Sequence, residues 1–161
     1  MKNPTIAICT AASMLIATLS FAQLPVKPLA PQKKLLESKD KKLAANKKLV
    51  YDMWREFLEG GHMEVAEKYF AEDYMQHNPT APTGRKAVVE VFSRFTKPQA
   101  IVDTIKAKVV SITADGDLVT LAFVRELTEK DDKTKKYTTT WFDMFRVENG
   151  KIAEHWDSAT K

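Results

Sequence analysis

The chain has 161 residues, a formal net charge of +4 and a single cysteine. That cysteine, Cys9, lies in an apolar N-terminal run, so the remainder has no thiol, which excludes disulfides, thiol catalysis and cysteine-ligated metals. Eight lysines between positions 27 and 48 hold much of the positive excess without interleaved aromatic residues, which argues against nucleic-acid binding.

The first segment reads as a secretory signal. Lys2 precedes an apolar run over 6–21, and Ser20-Phe21-Ala22 offers small residues at the two positions a signal peptidase reads. Cleavage is expected after Ala22; an uncleaved anchor is the alternative, but the run is short of the roughly 20 residues a span needs. The expected location is secreted or periplasmic, with no stable membrane insertion after cleavage. Residues 23–40, punctuated by Pro25, Pro28 and Pro31, read as an extended, mobile Pro/Lys-rich spacer. Residues 41–161 fit one domain.

A helix is expected from about Lys41, where Leu43, Val50, Trp54, Phe57 and Leu58 recur at helical steps until Gly60-Gly61. A short second helix places Val65, Ala66, Tyr69 and Phe70 on its apolar face, and a short strand is expected over 74–78. A third helix opens near Gly84, with Val88, Val91, Phe92 and Phe95 on its buried side. After Pro98 the pattern changes to β-branched and aromatic residues over 101–113, 118–128 and 136–147, with a last strand over 151–157. Helices followed by an antiparallel meander make an α+β arrangement.

The last hairpin decides which side chains share a face. A two-residue Asn149-Gly150 turn pairs Glu148 with Lys151 and sets Phe142 opposite Asp157. A three-residue loop with a bulge at Gly150 pairs Val147 with Lys151 and sets Asp143 opposite His155. The bulged register is favoured here, because it collects Trp141, Asp143, Phe145, Ala153, His155 and Asp157 on one face. Phe142, Met144, Ile152 and Trp156 then form a second, mainly apolar face suited to packing or dimerisation.

Two stretches, YMQHNPTAPTGR (74–85) and DMFRVENGKIAEHWD (143–157), resemble SnoaL-like proteins of the nuclear transport factor 2 and ketosteroid isomerase superfamily. The similarity extends from about Lys41 to Asp157 and is strongest to the predicted SnoaL-like aldol-condensation subgroup. The resemblance implies a cone-shaped α+β barrel in which three N-terminal helices pack on a curved antiparallel sheet and enclose a pocket. It also implies a homodimer. Polyketide cyclases of the family use a carboxylate at the position of Asp157 as acid/base in an aldol ring closure. By the same resemblance, close relatives often carry a histidine about where Leu121-Ala122-Phe123 stands, and cyclases of the family can carry one where Asp143 stands; this chain has neither. Fold alone does not assign a function.

Proton abstraction beside a carbonyl needs a base and a donor to the developing enolate oxygen. Asp157 is the expected base, with protonated Asp143 or His77 as donor. Trp141, Phe145, His155 and Tyr74 are expected to bind substrate. No metal or other cofactor is expected, since His77, His155, Asp143 and Asp157 lack a metal-binding spacing and no glycine loop cradles phosphate. The function expected is acid/base chemistry of aldol, cyclase or isomerase type on a small, largely apolar carbonyl compound. Non-catalytic binding of such a ligand in the same pocket is the alternative.

Overall fold

The computed structural model describes residues 24–160; the expected signal peptide lies outside them. Among the described residues no helix is long and apolar enough to cross a membrane. The segment expected to be a mobile spacer is tied down. Val26 donates its backbone N–H to the Thr138 hydroxyl at 2.8 Å, and Leu29 donates to the Val110 carbonyl at 3.0 Å. A one-turn helix α1 (Gln32–Leu35) follows. The Gln32 side chain accepts from the Tyr51 hydroxyl at 2.7 Å and from the Ile105 N–H at 3.0 Å, satisfying polar groups that would otherwise be stranded beside the core.

Asp40 starts the main helix α2 (Lys41–Met53), accepting from the N–H groups of Lys42 and Leu43 at 2.7 and 3.1 Å. Val50, Tyr51 and Met53 are buried, and the wider turns of Trp54–Glu59 continue the helix and bury Phe57. Each fully buried apolar side chain of this size contributes roughly 1.5–3 kcal/mol. Gly61 ends the run at φ +70°, where a Cβ would lie 2.4 Å from the Lys97 carbonyl oxygen, so only glycine fits. A single turn (Met63–Val65) leads to the one-turn α3 (Ala66–Tyr69) and directly into β1 (Phe70–Gln76). Phe70, expected on a helix, thus opens the strand. Helix α4 (Arg85–Ser93) buries Val88, whereas Phe95 lies beyond its end and is exposed.

Strands β2 (Val109–Asp115), β3 (Leu118–Thr128), β4 (Lys136–Glu148) and β5 (Lys151–Asp157) form the expected antiparallel succession. β1 joins the free side of β5 in parallel, giving the order β1-β5-β4-β3-β2. The architecture is α+β as expected, with a mixed sheet that is not closed into a barrel. The single helix α4 between β1 and β2 and the hairpins that follow carry the chain back to β5, since a parallel neighbour cannot be reached by a tight turn.

The hairpin register differs from the favoured one. Asn149 and Gly150 adopt φ +51° and +71°, and Glu148 pairs with Lys151, so the turn is the tight two-residue form. The pairing then changes from Val147–Ile152 to Arg146–Glu154, leaving Ala153 as the extra residue of a bulge. Asp143 therefore sits opposite Asp157 rather than His155. The two departures shift the pairing by two residues, so Asp143, Phe145, His155 and Asp157 still share a face. Ile152 does not join the outer face: it lies before the bulge, pairs with Val147 and is fully buried in the core.

Candidate functional site

A cavity of about 440 Å³ lies between the helices and the inner face of the sheet. Met53, Leu58, Phe70, Val88 and Phe92 make its apolar part, while Tyr74, Gln76, Asn78, Asp143, His155 and Asp157 gather at one end. β4 and β5 supply the two aspartates and the histidine from alternate inward positions, and the end of β1 supplies the rest.

The stretch QHNP explains itself as a strand end. His77 donates its N–H to the His155 carbonyl at 3.0 Å, extending the parallel pairing by one residue. With a period of two, Tyr74, Gln76 and Asn78 face inward and His77 faces outward. Asn78 folds into an Asx turn, its Oδ1 accepting from the Thr80 N–H at 2.8 Å. That bond fixes the amide orientation, so Asn78 Nδ2 donates to Asp157 Oδ2 at 2.7 Å. The Ala159 N–H donates to the other oxygen, Oδ1, at 2.8 Å.

The same logic fixes the proton of His155. Asn78 donates its backbone N–H to Gln76 Oε1 at 3.0 Å, which identifies that atom as the amide oxygen. Gln76 Oε1 also lies 3.0 Å from His155 Nδ1, so Nδ1 carries a hydrogen. On the other side of the ring, Nε2 lies 3.0 Å from Asp143 Oδ1. One proton must therefore sit between His155 and Asp143, as an imidazolium–carboxylate pair or as a neutral imidazole and acid. Either way it is committed to Oδ1. Asp143 Oδ2 is buried and has no hydrogen-bond partner among the described residues. A buried acceptor left open in a cavity wall is a place for a ligand donor or a transferred proton.

Gln76 Nε2 donates to the Tyr74 hydroxyl at 3.1 Å, which leaves that hydroxyl's own hydrogen free to donate. Burial pushes the Tyr74 phenol well above its usual pKa, with the negative charges of Asp157 and Asp143 adding to the effect, so it stays neutral. Phe145 stacks on the His155 ring with centroids 4.5 Å apart and holds its plane.

Tyr74, Asp143, Phe145, His155 and Asp157, all expected at the site, are thus brought together. His77 is not. It is exposed on the outer face, stacked on Trp156 at 4.9 Å, with Nε2 2.6 Å from Glu154 Oε1. It cannot donate to a ligand in the cavity. Trp141 shares the inner face but lines an adjoining cleft with Trp54 and Phe123 rather than the cavity itself. Gln76 and Asn78 were not expected; alternation along QHN would have indicated them, since both neighbours of an outward His77 must point inward. Asp143, His155 and Asp157 also present ligand atoms within 4.8 Å of one another, a donor set able to hold a divalent cation.

Residues 51–155 match the SnoaL-like domain. The chain belongs to the SnoaL-like family. This SnoaL-like domain is similar to a proposed polyketide cyclase from Acidithiobacillus ferrooxidans, at 21% identity over 75% of this chain and 89% of that one, with a TM-score of 0.52. It is also similar to a proposed polyketide cyclase from Bacillus cereus, at 22% identity over 86% and 87% of the two chains, with a TM-score of 0.49. At such identities the likeness establishes the fold of the SnoaL-like domain alone. No curated protein matches it.

Proposed function

We propose that this SnoaL-like protein is an exported, cofactor-independent enzyme performing acid/base chemistry on a small, largely apolar carbonyl compound. The observation that carries this reading is the convergence of Asp157, the Asp143–His155 pair and the Tyr74 hydroxyl at one end of an otherwise apolar cavity. Asp157 is the base: each of its oxygens receives one N–H and keeps a lone pair for a proton on the carbon beside the carbonyl. Tyr74 replaces His77 and Asp143 as donor to the enolate oxygen, because its hydrogen is free and theirs are not in place. The open Asp143 oxygen accepts from a hydroxyl of the ligand. The enolate carbon then attacks a second carbonyl, as in an aldol closure, or regains a proton at another carbon. The similar Acidithiobacillus ferrooxidans structure, named as a polyketide cyclase, lends the first outcome support.

Deuterium exchange tests this without a known substrate. Acetophenone and related ketones, incubated with the protein in deuterated buffer, are expected to exchange their α-hydrogens faster than in buffer alone. Asp157→Asn should remove at least about a hundredfold of that rate. Unaccelerated exchange across the ketones, or full exchange by the variant, would sink the reading.

Non-catalytic binding keeps one argument. The inner face of β3 presents Leu121 and Phe123, both buried, and offers no acid/base group. Equal exchange with and without protein, alongside saturable ketone binding, is its signature. The outer face, with Met75, Phe142, Met144 and Trp156, supports a homodimer. Export rests on the apolar run before Ala22. A mature N-terminus at Gln23 in a periplasmic or culture-medium fraction would support it, and an intact Met1 in the cytoplasm would overturn it.

A further inference from the structure

Beside the cavity lies a second, more open cleft of about 420 Å³, which shares Trp54, Ala107 and Asp143 with it as common walls. Aromatic residues dominate this cleft. Trp54 packs against Phe123 with ring centroids 4.3 Å apart, and Trp141 lies across the β3–β4 pair directly opposite Phe123. Over the indole of Trp141 stands Arg125, its guanidinium carbon 4.7 Å from the ring centroid.

The charges around the cleft are unequal. The two charged residues that line it are Asp143, which is committed to His155, and Arg125. Arg125 has no ion pair or side-chain hydrogen bond among the described residues. Glu126, its neighbour in sequence, is engaged with Lys136, and Glu59, which lines the adjoining cavity, with the N–H groups of Lys106 and Ala107. The cation–π contact with Trp141 engages the guanidinium from one side and leaves its N–H fork free, which suits a carboxylate. Cavity and cleft adjoin along the shared Trp54, Ala107 and Asp143, with the acid/base groups lining the first and Arg125 lining the second.

We infer that Arg125 and Trp141 form an anion subsite, and that the substrate is a carbonyl compound carrying a carboxylate across an apolar, preferably aromatic, segment from the reacting carbonyl. This rests on the proposal that the cavity takes a carbonyl compound. It also gives Trp141 the binding role expected from the sequence, outside the cavity proper.

The test uses para-acetylbenzoate and its biphenyl homologue, each against its neutral methyl ester, with binding followed by titration calorimetry. At low salt the better-fitting acid is expected to bind roughly five- to tenfold more tightly than its ester, the range of an accessible charge-assisted contact. Arg125→Gln should erase that preference, Arg125→Lys should retain part of it, and added salt should shrink it. Equal affinities for acid and ester, a preference that survives in Arg125→Gln, or no binding of either acid would overturn the subsite. The ketone exchange experiment fails separately. Acid preference in a protein that exchanges no α-hydrogens leaves the subsite standing without the enzyme, and exchange without preference leaves the enzyme without the subsite.

Discussion

Tyr74 and Glu154 show how single positions divide the work of the two sheet faces. Tyr74 is almost wholly buried and its hydroxyl is held neutral, so it can only donate or accept a hydrogen bond. Tyr74→Phe removes that donor and keeps the ring; ketone exchange is expected to fall by about a hundredfold, while the thermal midpoint changes little. An unchanged exchange rate would return the donor's role to another group. Glu154 lies on the outer side, where His77 and Arg146 both engage it, Arg146 Nε at 2.7 Å. The hydrogen bond from His77 holds its carboxyl below the usual glutamate range, with Arg146 adding to the effect against partial burial. The unfolded value is about 4.3, so the folded one lies lower. Stability from this contact is fully present above the unfolded value and is lost as pH falls through the folded one. Glu154→Gln should therefore unfold at lower urea than the wild type at about pH 7 and approach it at about pH 3. A gap of equal size at both pH values would show that the pair does not titrate with folding.

At the level of elements, the decisive device is the bulge at Ala153. Strands β3, β4 and β5 were legible because β-branched and aromatic residues alternate between turn signals, and the observed ends of β3 and β5 are those expected. The inner face was legible too, although the pairing was not. The turn proved tighter than expected and the bulge came three residues later; the resulting shift of two keeps His155 and Asp157 inward, while Ile152, expected outside, turns inward as well. Nothing local marks Ala153 as extra, because a bulge is selected by the packing of Ile152 and His155 on the same side. The parallel seating of β1 was equally hidden, since its partner β5 lies at the other end of the chain. Deleting Ala153 tests the device. Joined directly to Ile152, Glu154 would still pair with Arg146, so the ladder becomes regular and Ile152, His155 and Asp157 all stay inward. The deletion is therefore expected to stay within about 2 kcal/mol of the wild type in urea unfolding and to keep ketone exchange, the loss coming from the local twist that the bulge supplies. Ala153→Ser, which keeps the residue count, should stay within about 1 kcal/mol of the wild type. A deletion that costs more than about 4 kcal/mol, or abolishes exchange, would mean that the bulge itself, not the pairing on either side of it, holds the site.

For the whole molecule, the open sheet leaves one broad surface that the helices do not use. The cavity consumes the inner face, and Phe142 stands 52% exposed on the other, next to Met144 and Trp156. The ion pairs of Glu154 and Arg146, with His77 stacked on Trp156, border it. An apolar centre within a polar margin is the composition of a protein interface, and a stable one covers about 800 Å² on each partner. Because β4 and β5 carry both faces, an interface there would also stiffen the strands that hold Asp143, His155 and Asp157. Phe142→Glu separates the two effects. Phe142 is half exposed in the single chain, so the substitution should cost the isolated fold no more than about 0.5 kcal/mol. In sedimentation equilibrium at micromolar concentrations the wild type is expected to be a dimer and the variant a monomer. If the surface only associates, the variant keeps its ketone exchange. If it also stiffens the site, exchange falls as the dimer dissociates and falls likewise on diluting the wild type. A wild type that stays monomeric at every concentration would leave the outer face without a partner of its own kind.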